Sequence, residues 1–562
     1  MANTNHTLMQ SQSTTIDPNT GYCSHSRTFH SLRPIAPLPP PSEPLSLTDY
    51  ALSLLSTTTA VSNNTTALID AATDHHLTYP TFLRQIKSLS SFLQSHTTLS
   101  KGHVALILIP SSIHVPVLYF SLLSLGVTIA PANPLSSPSE LSHLVHLINP
   151  VIAFSTSSTA TKIPKLPLGT VITDSPSFLS VINSTTDTHT ELRPVVTSQS
   201  DTAAILFSSG TTGRVKGVLL THGNFIALIG GFCFMKHAYD DGIEDEPHPV
   251  SLFPLPLFHV FGFFMMVRAL AMGETLVLMQ RFDFEGMLKA VEKYRITYMP
   301  VSPPLITAFT KSELVKKYDI SSIRLLGSGG APLGKEVAES FKAKFPNVEI
   351  VQGYGLTESG GGAARMIGFD EAKRHGSVGR LAENMEAKIV DPVTGEALSP
   401  GQKGELWLRG PTIMKGYVGD DKATVETLDS EGWLKTGDLC YFDSDGYLFI
   451  VDRLKELIKY KAYQVPPAEL EHILHTNPEI ADAAVVPYPD EDAGQIPMAF
   501  VVRKPGSNIT AAQVMDYVAK QVTPYKKIRR VSFINSIPKS PAGKILRREL
   551  VDIALTSGSS KL

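Results

Sequence analysis

The sequence contains 562 residues, of which 43% are hydrophobic and 18% are charged, and its formal net charge is -3. A chain of this length exceeds what one hydrophobic core normally organises, and the near-neutral charge excludes the strongly basic domain that nucleic-acid binding requires. The three cysteines, Cys23, Cys233 and Cys440, lie far apart and form no CxxC pattern, which argues against a disulfide framework or a structural zinc site.

The first 45 residues predict an irregular N-terminal arm without a secretory signal, because residues 1–30 are polar and contain no apolar stretch. The most apolar part of the chain, from about Val104 to Ala130, is interrupted by prolines and polar residues. It therefore predicts a buried strand, a loop and a core helix rather than a membrane span. Stretches rich in Ser and Thr near 56–66 and 185–200 predict surface loops.

From about residue 80 to 450, short apolar runs typical of strands alternate with segments of helical spacing. The predicted strands include Val104–Ile109, Val151–Phe154, Ala203–Phe207 and Thr275–Met279, and the predicted helices include Glu140–Ile148 and Phe284–Arg295. Such alternation is typical of α/β layers with largely parallel sheets.

After residue 452 the pattern changes to that of a smaller α+β unit. We predict helices at Pro467–His475, Ala511–Gln521 and Lys544–Leu555, and strands at Ala483–Val486, Met498–Val502 and Val531–Ile534. The boundary between the two units is expected near Asp452-Arg453.

One loop carries a strong phosphate-binding pattern, Ser208-Ser209-Gly210-Thr211-Thr212-Gly213-Arg214-Val215-Lys216-Gly217. Glycines let backbone N–H groups turn toward a polyphosphate, the hydroxyls add donors, and Lys216 adds positive charge. The loop differs from a Walker A loop, which requires GxxxxGK[ST]. The sequence also lacks a GxSxG nucleophile elbow, an HExxH zinc helix and a Rossmann GxGxxG motif.

Several further segments join this loop in a fixed order: Gln352-Gly353-Tyr354-Gly355-Leu356-Thr357-Glu358, Thr436-Gly437-Asp438, Val451-Asp452-Arg453-Leu454-Lys455 and Pro538-Lys539-Ser540-Pro541-Ala542-Gly543-Lys544. With them the chain resembles the acyl-adenylate-forming (AMP-binding) superfamily, and most closely the plant 4-coumarate–CoA ligase-like proteins of the peroxisomal type. The resemblance begins near residue 45. It implies a large domain at 46–451 with parallel-rich sheets and a β-barrel-like part, a hinge at 452–455, and a small mobile α+β domain at 456–562.

The residues of the second segment suit a nucleotide. An aromatic ring between two glycines, as at Tyr354, can lie flat on a purine, and Thr357 can donate to a phosphate. Glu358 can hold Mg²⁺, which prefers oxygen ligands. The resemblance implies the same roles, and it assigns Asp438 and Arg453 to the ribose.

The resemblance also implies which residues serve catalysis. It places Lys544 between the substrate carboxylate and the α-phosphate, where one ammonium favours the meeting of two anions. It gives Lys459 and Gln464 catalytic roles and places Lys461 near the opening for CoA, where Ala462 replaces the usual Gly. Together, the expected ATP- or AMP-binding residues are Ser208, Ser209, Gly210, Thr211, Thr212, Lys216, Gln352, Gly353, Tyr354, Thr357, Asp438, Arg453, Lys455, Lys459 and Lys544.

His259 lies in the apolar segment Pro256-Leu257-Phe258-His259-Val260-Phe261-Gly262. A lone His in such a segment is usually a satisfied core residue, but the resemblance implies that it gates the acid pocket and serves catalysis. The implied pocket residues are His259, Phe261, Met265, Gly330, Gly353 and Gly361. Phe261, Gly330 and the pair Gly361-Gly362 replace larger or more polar residues of true coumarate ligases, which predicts a roomier, less polar pocket. Arg281 matches a position that contacts a CoA phosphate.

The sequence therefore predicts an ATP-dependent carboxylate–CoA ligase that uses ATP, Mg²⁺ and CoA. The acid is left open among cinnamate-type acids, fatty acids and cyclopentanone octanoic-type precursors of jasmonate. A luciferase-like oxygenase and a catalytically dead adenylate-binding protein are the alternatives. The tripeptide Ser560-Lys561-Leu562 matches a peroxisomal address, so we expect a peroxisomal location and an import receptor as a partner.

Overall fold

The computed structural model describes residues 16–58, 61–184, 192–208, 215–238, 247–331, 333–461, 463–540 and 543–559. Within them the strands are β1 (Tyr22–Cys23), β2 (Thr28–His30), β3 (Thr66–Asp70), β4 (His75–Thr78), β5 (Val104–Leu108), β6 (Thr128–Pro131), β7 (Ile152–Ser155), β8 (Thr170–Ile172), β9 (Thr202–Ser208), β10 (Lys216–Thr221), β11 (Val250–Phe253), β12 (Thr275–Leu278), β13 (Tyr298–Val301), β14 (Leu325–Ser328), β15 (Glu349–Tyr354), β16 (Ala364–Arg365), β17 (Arg380–Leu381), β18 (Glu386–Val390), β19 (Gly404–Arg409), β20 (Gly416–Tyr417), β21 (Leu434–Phe442), β22 (Leu448–Arg453), β23 (Ile458–Tyr460), β24 (Tyr463–Val465), β25 (Ile480–Asp490), β26 (Gly494–Arg503) and β27 (Arg530–Phe533).

The α-helices in the same residues are α1 (Leu47–Thr57), α2 (Tyr79–His96), α3 (His114–Ser124), α4 (Pro138–Ile148), α5 (Pro176–Asn183), α6 (His222–Ala238), α7 (Val260–Ala271), α8 (Phe284–Tyr294), α9 (Pro303–Lys311), α10 (Lys335–Lys344), α11 (Gly368–Ala372), α12 (Asp421–Thr427), α13 (Pro467–Thr476), α14 (Ala511–Ala519) and α15 (Arg547–Ser559). Short 3₁₀ turns lie at Ala160–Lys162, Glu313–Lys317, Thr357–Ser359 and Pro524–Lys526.

Two large sheets of mixed direction form the bulk of the molecule. One has seven strands in the order β20-β10-β9-β6-β5-β7-β8, and its strands from β9 to β8 run parallel. The other has nine strands in the order β17-β16-β15-β14-β13-β11-β12-β3-β4, and it is parallel from β15 to β3. Apolar strands without alternation are expected where both faces of a parallel sheet are covered, as in the fully buried strand β7.

The main core lies where helices α1, α2, α3, α6 and α7 pack between these sheets. Helix α3 is apolar on nearly all sides, and its residues from Val115 to Leu123 are all buried. A helix that is hydrophobic all round belongs inside a large protein or a membrane. No helix in the described residues is both long enough and apolar enough to cross a membrane.

The third sheet is antiparallel and corresponds to the barrel-like part of the prediction. It has six strands in the order β1-β2-β18-β19-β21-β22. Its first two strands come from the segment that was expected to be wholly irregular, so that expectation is wrong for this part of the arm. Phe29 explains why, because its fully buried ring stacks on Phe442 with the ring centroids 4.3 Å apart.

The smaller fourth sheet is formed by β24-β23-β26-β25, with β27 paired to β26. Helices α13 and α14 cover one face and α15 covers the other, which gives this α+β unit its own two cores. All predicted strands and helices named above are present, with ends that differ by a few residues. One difference bears on function: α15 begins at Arg547, so Lys544 lies before the helix in a turn.

Candidate active site

The ends of β9 and β10 bring Ser208 and Lys216 directly opposite each other in an antiparallel pair. The residues between them that were predicted to bind phosphate, Ser209, Gly210, Thr211 and Thr212, lie outside the described residues. Lys216 places its Nζ 4.4 Å from the centre of the Tyr417 ring. The lysine is therefore held against an aromatic face at the mouth of the predicted phosphate loop.

Glu358, the predicted metal ligand, is oriented by two hydroxyl groups. Ser208 Oγ and Tyr417 Oη donate to the same carboxylate oxygen, Oε1, over 3.1 and 3.0 Å. Burial and the Glu358 charge raise the pKa of Tyr417, which keeps its hydroxyl protonated as a donor. Within the described part of the chain no group of three or more His, Cys, Asp or Glu side chains could hold a metal. The single Glu358 carboxylate fits a Mg²⁺ ion that substrate phosphates would also bind, a common arrangement for that ion.

The predicted ribose residues form a second, buried cluster. Asp438 and Arg453 lie opposite each other in strands β21 and β22, and Arg453 Nε is 3.4 Å from Asp438 Oδ1. Tyr354 Oη donates to the other carboxylate oxygen over 2.5 Å. Burial raises the pKa of Asp438, while the Arg453 charge opposes that rise. A carboxylate held by a cation and a phenol in this way is preorganised to accept further hydroxyl donors.

Gly353 and Gly355, on either side of Tyr354, differ in how much space the structure leaves for a side chain. An alanine Cβ at Gly355 would lie 2.2 Å from the carbonyl oxygen of Gly361, so this position admits no side chain. At Gly353 the nearest atom would be 3.5 Å away, an ordinary contact. Gly355 is thus required by backbone packing, whereas Gly353 leaves an open space. Neighbouring Gln352 is buried, and Thr357 begins a short 3₁₀ turn that carries Glu358.

Lys544 reaches the ribose cluster from the C-terminal unit. Its turn is closed by the Ser540 N–H donating to the Lys544 carbonyl over 2.8 Å, and Gly543 within it has φ +81°. Burial and the nearby Arg453 charge lower the pKa of Lys544, while Glu456 and Asp438 counteract both effects. An alanine Cβ at Gly543 would lie 3.0 Å from Ser302 Oγ, at the start of α9. The turn therefore docks on the large unit and brings the Lys544 ammonium within electrostatic range of Asp438 and Arg453.

The sequence analysis missed a buried charged cluster that ties α15 to the rest of the small unit, next to the predicted hinge. Arg547 forms ion pairs with Glu456 (Nε to Oε2, 3.2 Å) and Glu471 (Nη2 to Oε2, 2.8 Å). Asp452 accepts a hydrogen bond from the Ala468 N–H over 3.0 Å, and burial raises the pKa of Asp452 to about 7. No spacing signal in the sequence connects these residues, because Asp452 in β22, Glu471 in α13 and Arg547 at the start of α15 come together only in the folded chain.

The other predicted catalytic pair is not brought to this cluster. Lys459 and Gln464 face each other in the hairpin β23–β24, where both side chains are exposed. Lys455 and Lys461 are also exposed, and Lys461 has a left-handed backbone with φ +52°. Ala462 lies outside the described residues. The structure thus gathers Lys544, Asp438 and Arg453 but leaves the Lys459 hairpin on the surface of the small unit.

The predicted acid pocket lies beside α7. His259 caps this helix, and its Nδ1 accepts from the Phe261 N–H over 3.3 Å. Burial lowers the pKa of His259 to about 4, so its imidazole is neutral and carries its proton on Nε2. The Phe261 ring lies 3.2 Å from where an alanine at Gly329 would place its Cβ. The carbonyl oxygen of Gly353 lies 3.8 Å from the same point, so these residues surround one space.

The other residues predicted to line the acid pocket or to bind CoA lie in different parts of the structure. Gly361 has φ +101°, and a Cβ there would lie 2.5 Å from the Phe264 ring, so its backbone approaches this aromatic closely. Met265 is 3% exposed and packs in the main core. Gly330 is exposed with φ +82°, and Arg281 is exposed at the surface before α8.

Known proteins share this arrangement of sequence and fold. The model of the AMP-binding enzyme family matches residues 55–418, and that of the AMP-binding enzyme C-terminal domain matches 469–544. The chain is 60% identical to 4-coumarate–CoA ligase-like 9 of Arabidopsis thaliana, over 97% of this chain and 98% of the relative. It is 44% identical to Peroxisomal OPC-8:0-CoA ligase 1 of Arabidopsis thaliana, over 97% of this chain and all of the relative.

Solved structures of other proteins share the fold of this chain. ATP-bound MatB from Rhodopseudomonas palustris superposes with a TM-score of 0.79 at 25% identity, covering 91% of this chain and 100% of that chain. The o-succinylbenzoate CoA synthetase MenE from Bacillus subtilis, in complex with its acyl-adenylate intermediate, gives a TM-score of 0.75 at 25% identity, covering 89% and 97% of the two chains.

Proposed function

Because the chain belongs to the AMP-binding enzyme family and to its acid–thiol ligases, we propose that it joins a carboxylic acid to coenzyme A through an acyl-AMP intermediate at the site described above. The observation that carries this proposal is the docking of the Lys544 turn on Ser302 of the large unit, which brings the ammonium within electrostatic range of Asp438 and Arg453. A nucleotide whose ribose meets Asp438 would have its α-phosphate within the same charged cluster.

In the first step the acid carboxylate attacks the α-phosphorus of ATP, and pyrophosphate leaves. Lys544 neutralises both the incoming carboxylate and the phosphoryl oxygens, on which negative charge grows. Lys216 and the 208–217 segment hold the leaving phosphates. Glu358 would hold Mg²⁺, which would supply positive charge to the same phosphates. Neutral His259 contributes an Nε2–H donor to the carboxylate without adding charge. Holding both reactants in one site supplies much of the rate gain.

In the second step the small unit turns about a hinge at 452–455. Lys544 withdraws, and the exposed hairpin with Lys459, Lys461 and Gln464 takes its place, with Arg281 on a CoA phosphate. The CoA thiol then attacks the acyl carbonyl carbon, the C–O bond to AMP breaks, and AMP leaves. The exposure of this hairpin in the present orientation, with Lys544 docked, supports two alternating arrangements.

The test is Lys544→Ala assayed in the two half-reactions separately. Pyrophosphate release from ATP and acid should fall by about 100-fold or more, the scale seen for loss of one charged transition-state contact. Conversion of synthetic acyl-AMP to acyl-CoA should remain near the wild-type rate. Equal loss of both half-reactions would contradict the two arrangements, and full pyrophosphate release by the variant would contradict the role of Lys544.

For the acid, we propose a cinnamate-type or fatty acid, including cyclopentanone octanoic-type acids, since one relative is named an OPC-8:0-CoA ligase. We also propose a peroxisomal location, supported by Ser560-Lys561-Leu562 and by the name of the same relative. A panel of acids assayed with and without CoA identifies the substrate and separates a ligase from an oxygenase, which would emit light without CoA. Loss of organelle targeting when the tripeptide is deleted tests the location.

A further inference from the structure

Arg365 lies at the side of the predicted acid pocket, in strand β16. It pairs directly with Gly353 of β15 in antiparallel register. Residues that pair in this way direct their side chains to the same face of the sheet. An alanine Cβ at Gly353 would lie 3.9 Å from the Cβ of Arg365. The missing side chain at Gly353 therefore opens space next to this arginine.

A row of aromatic rings connects Arg365 with the rest of the pocket. Its guanidinium carbon lies 4.0 Å from the centre of the Phe232 ring. Phe232 stacks on Phe264 at 5.9 Å, and Phe264 lies 5.8 Å from Phe261. Gly361 contacts Phe264, as described above. The guanidinium is thus at the end of the same aromatic wall that begins at Phe261.

Glu383 fixes the guanidinium but does not use all its donors. Arg365 Nη2 donates to Glu383 Oε2 over 2.5 Å, and the two side chains are 12% and 3% exposed. No other described side chain accepts from this guanidinium, which carries five N–H donors in a rigid plane. Glu383 Oε1 likewise has no partner among the described residues. Gly231 makes room for the carboxylate, because a Cβ there would lie 2.8 Å from Oε2.

The charges around this site are balanced. Arg365 is matched by Glu383, and the nearby Arg268 is paired with Glu274, whose other carboxylate oxygen accepts from Ser251 Oγ over 2.6 Å. A second carboxylate buried here would add an unmatched negative charge, which is costly. A purely hydrocarbon end would leave the arginine donors unpaired, which also costs free energy. A neutral oxygen acceptor avoids both costs.

Building on the proposed ligase activity, we propose that Arg365 determines which acid is used, by donating a hydrogen bond to a neutral oxygen, such as a ketone, at the distal end of the substrate. Glu383 and Phe232 hold the guanidinium in place for this contact. The preferred substrate class is therefore an acid with an apolar body and one neutral acceptor far from its carboxylate.

The test compares acids of one chain length in the pyrophosphate-release assay. The set is the unsubstituted straight-chain acid, the same acid with an oxo group moved stepwise toward its far end, and the α,ω-dicarboxylic acid. For the wild-type enzyme, kcat/KM for the best oxo acid should exceed that for the unsubstituted acid by about 10- to 100-fold, the range expected for a hydrogen bond to a charged group. The dicarboxylic acid should be poorer than that oxo acid.

Two variants then assign the preference to Arg365. Arg365→Met combined with Glu383→Leu removes both charges together, so no buried carboxylate is left unpaired. It should bring kcat/KM for the oxo and unsubstituted acids within about twofold of each other, the preference being lost with the donor. If the double variant does not fold, Arg365→Lys is used instead, because a lysine keeps the ion pair with Glu383. This variant should weaken the preference for the oxo acid severalfold. The matched control is Arg409→Met with Glu386→Leu, a 2.7 Å pair in the six-stranded sheet, which should keep the full preference.

The outcomes separate this inference from the proposed function. If no acid releases pyrophosphate, the ligase proposal itself fails. If acids are activated but the oxo and unsubstituted acids react equally well, the role of Arg365 is wrong and the ligase proposal stands. If the dicarboxylic acid were the best substrate, the inference that Arg365 donates to a neutral oxygen would also be wrong.

Discussion

At the scale of single residues, the site depends on groups that orient other groups. Tyr417 is the clearest case: its ring receives Lys216 and its hydroxyl donates to Glu358. The sequence motifs name Lys216 and Glu358 but give no signal for Tyr417, which is about 60 residues beyond Glu358 and reaches it through strand β20 beside β10. Residues proposed to act on phosphate can thus be predicted from motifs, whereas the residue that positions them is found only once the sheet is known.

Tyr417→Phe tests this positioning role. The ring remains under Lys216, but Glu358 loses one of its two hydroxyl donors. Since a hydrogen bond of this kind contributes about 1 kcal/mol, the Mg²⁺ concentration for half-maximal pyrophosphate release should rise about fivefold. KM for the acid should not change. Tyr441→Phe, in a ring that stacks on Phe449 elsewhere in the molecule, is the matched control. An unchanged Mg²⁺ requirement would show that Tyr417 is only a packing residue.

His222 provides a prediction on pH. It is fully buried at the start of α6, Nδ1 accepts from the Leu47 N–H over 2.9 Å, and burial lowers its pKa to about 4. The unfolded chain takes up this proton near pH 6.5 and the folded chain does not, so stability is complete above pH 6.5 and falls as the pH drops toward 4.

The loss from His222 should reach about 3 kcal/mol, at about 1.4 kcal/mol per pKa unit. His222→Asn keeps an acceptor for Leu47 and removes the titration. Chemical unfolding from pH 7 to pH 4 should therefore show a smaller loss of free energy in the variant than in the wild type. Parallel curves for the two proteins would contradict the low pKa.

At the scale of elements, hydrophobic patterning predicted strands and helices well, because burial on one or both faces leaves a visible period. Strand β5 and helix α8 differ from their predicted ranges by one residue each. Hydrophobic patterning does not predict two other features. The arm strand β2 is only three residues long, and its burial depends on Phe442, far away in sequence. The sequence also predicts that α15 begins at Lys544, whereas the helix begins at Arg547. The turn before it contains a left-handed glycine and leaves no periodic signal.

The turn that carries Lys544 is the element on which the proposed first step depends. Gly543→Ala would place a methyl group 3.0 Å from Ser302 Oγ at a residue with φ +81°, so the turn must shift. Pyrophosphate release should fall about tenfold or more, while conversion of synthetic acyl-AMP to acyl-CoA is kept. Gly506→Ala is a close control, with φ +83° and no atom within 4 Å of the added methyl group. If both variants behave alike, backbone strain rather than docking explains the effect.

At the scale of the whole molecule, the contact between the two units includes polar groups from both of them. Lys311 Nζ donates to the Ile480 carbonyl over 3.4 Å, and His472 of α13 packs on Gly334 at the start of α10. The sequence could predict two units and the order of motifs, but not this orientation. Orientation depends on contacts such as that between His472 and Gly334, which are distant in sequence and leave no local pattern. A contact of this kind is suited to separate and re-form, as domain alternation requires.

A disulfide across this contact would hold the molecule in the present orientation. A Cβ at Gly334 would lie 3.4 Å from His472 Cγ, so side chains at 334 and 472 meet across this contact, and cysteines at these two positions are the choice for a disulfide. The native cysteines Cys23, Cys233 and Cys440 are free and buried, so they should not compete. Gly334→Cys combined with His472→Cys, when oxidised, should still release about one equivalent of pyrophosphate per site, because Lys544 stays docked and positioning is intact.

The oxidised double variant should then fail to form acyl-CoA, because the Lys459 hairpin cannot replace Lys544, and dithiothreitol should restore turnover. Each single cysteine variant, oxidised in the same way, should turn over normally. Continued acyl-CoA synthesis by the fully cross-linked enzyme would mean that both half-reactions occur in one orientation. In that case the surface position of Lys459 and Gln464 would have to be explained without a moving domain.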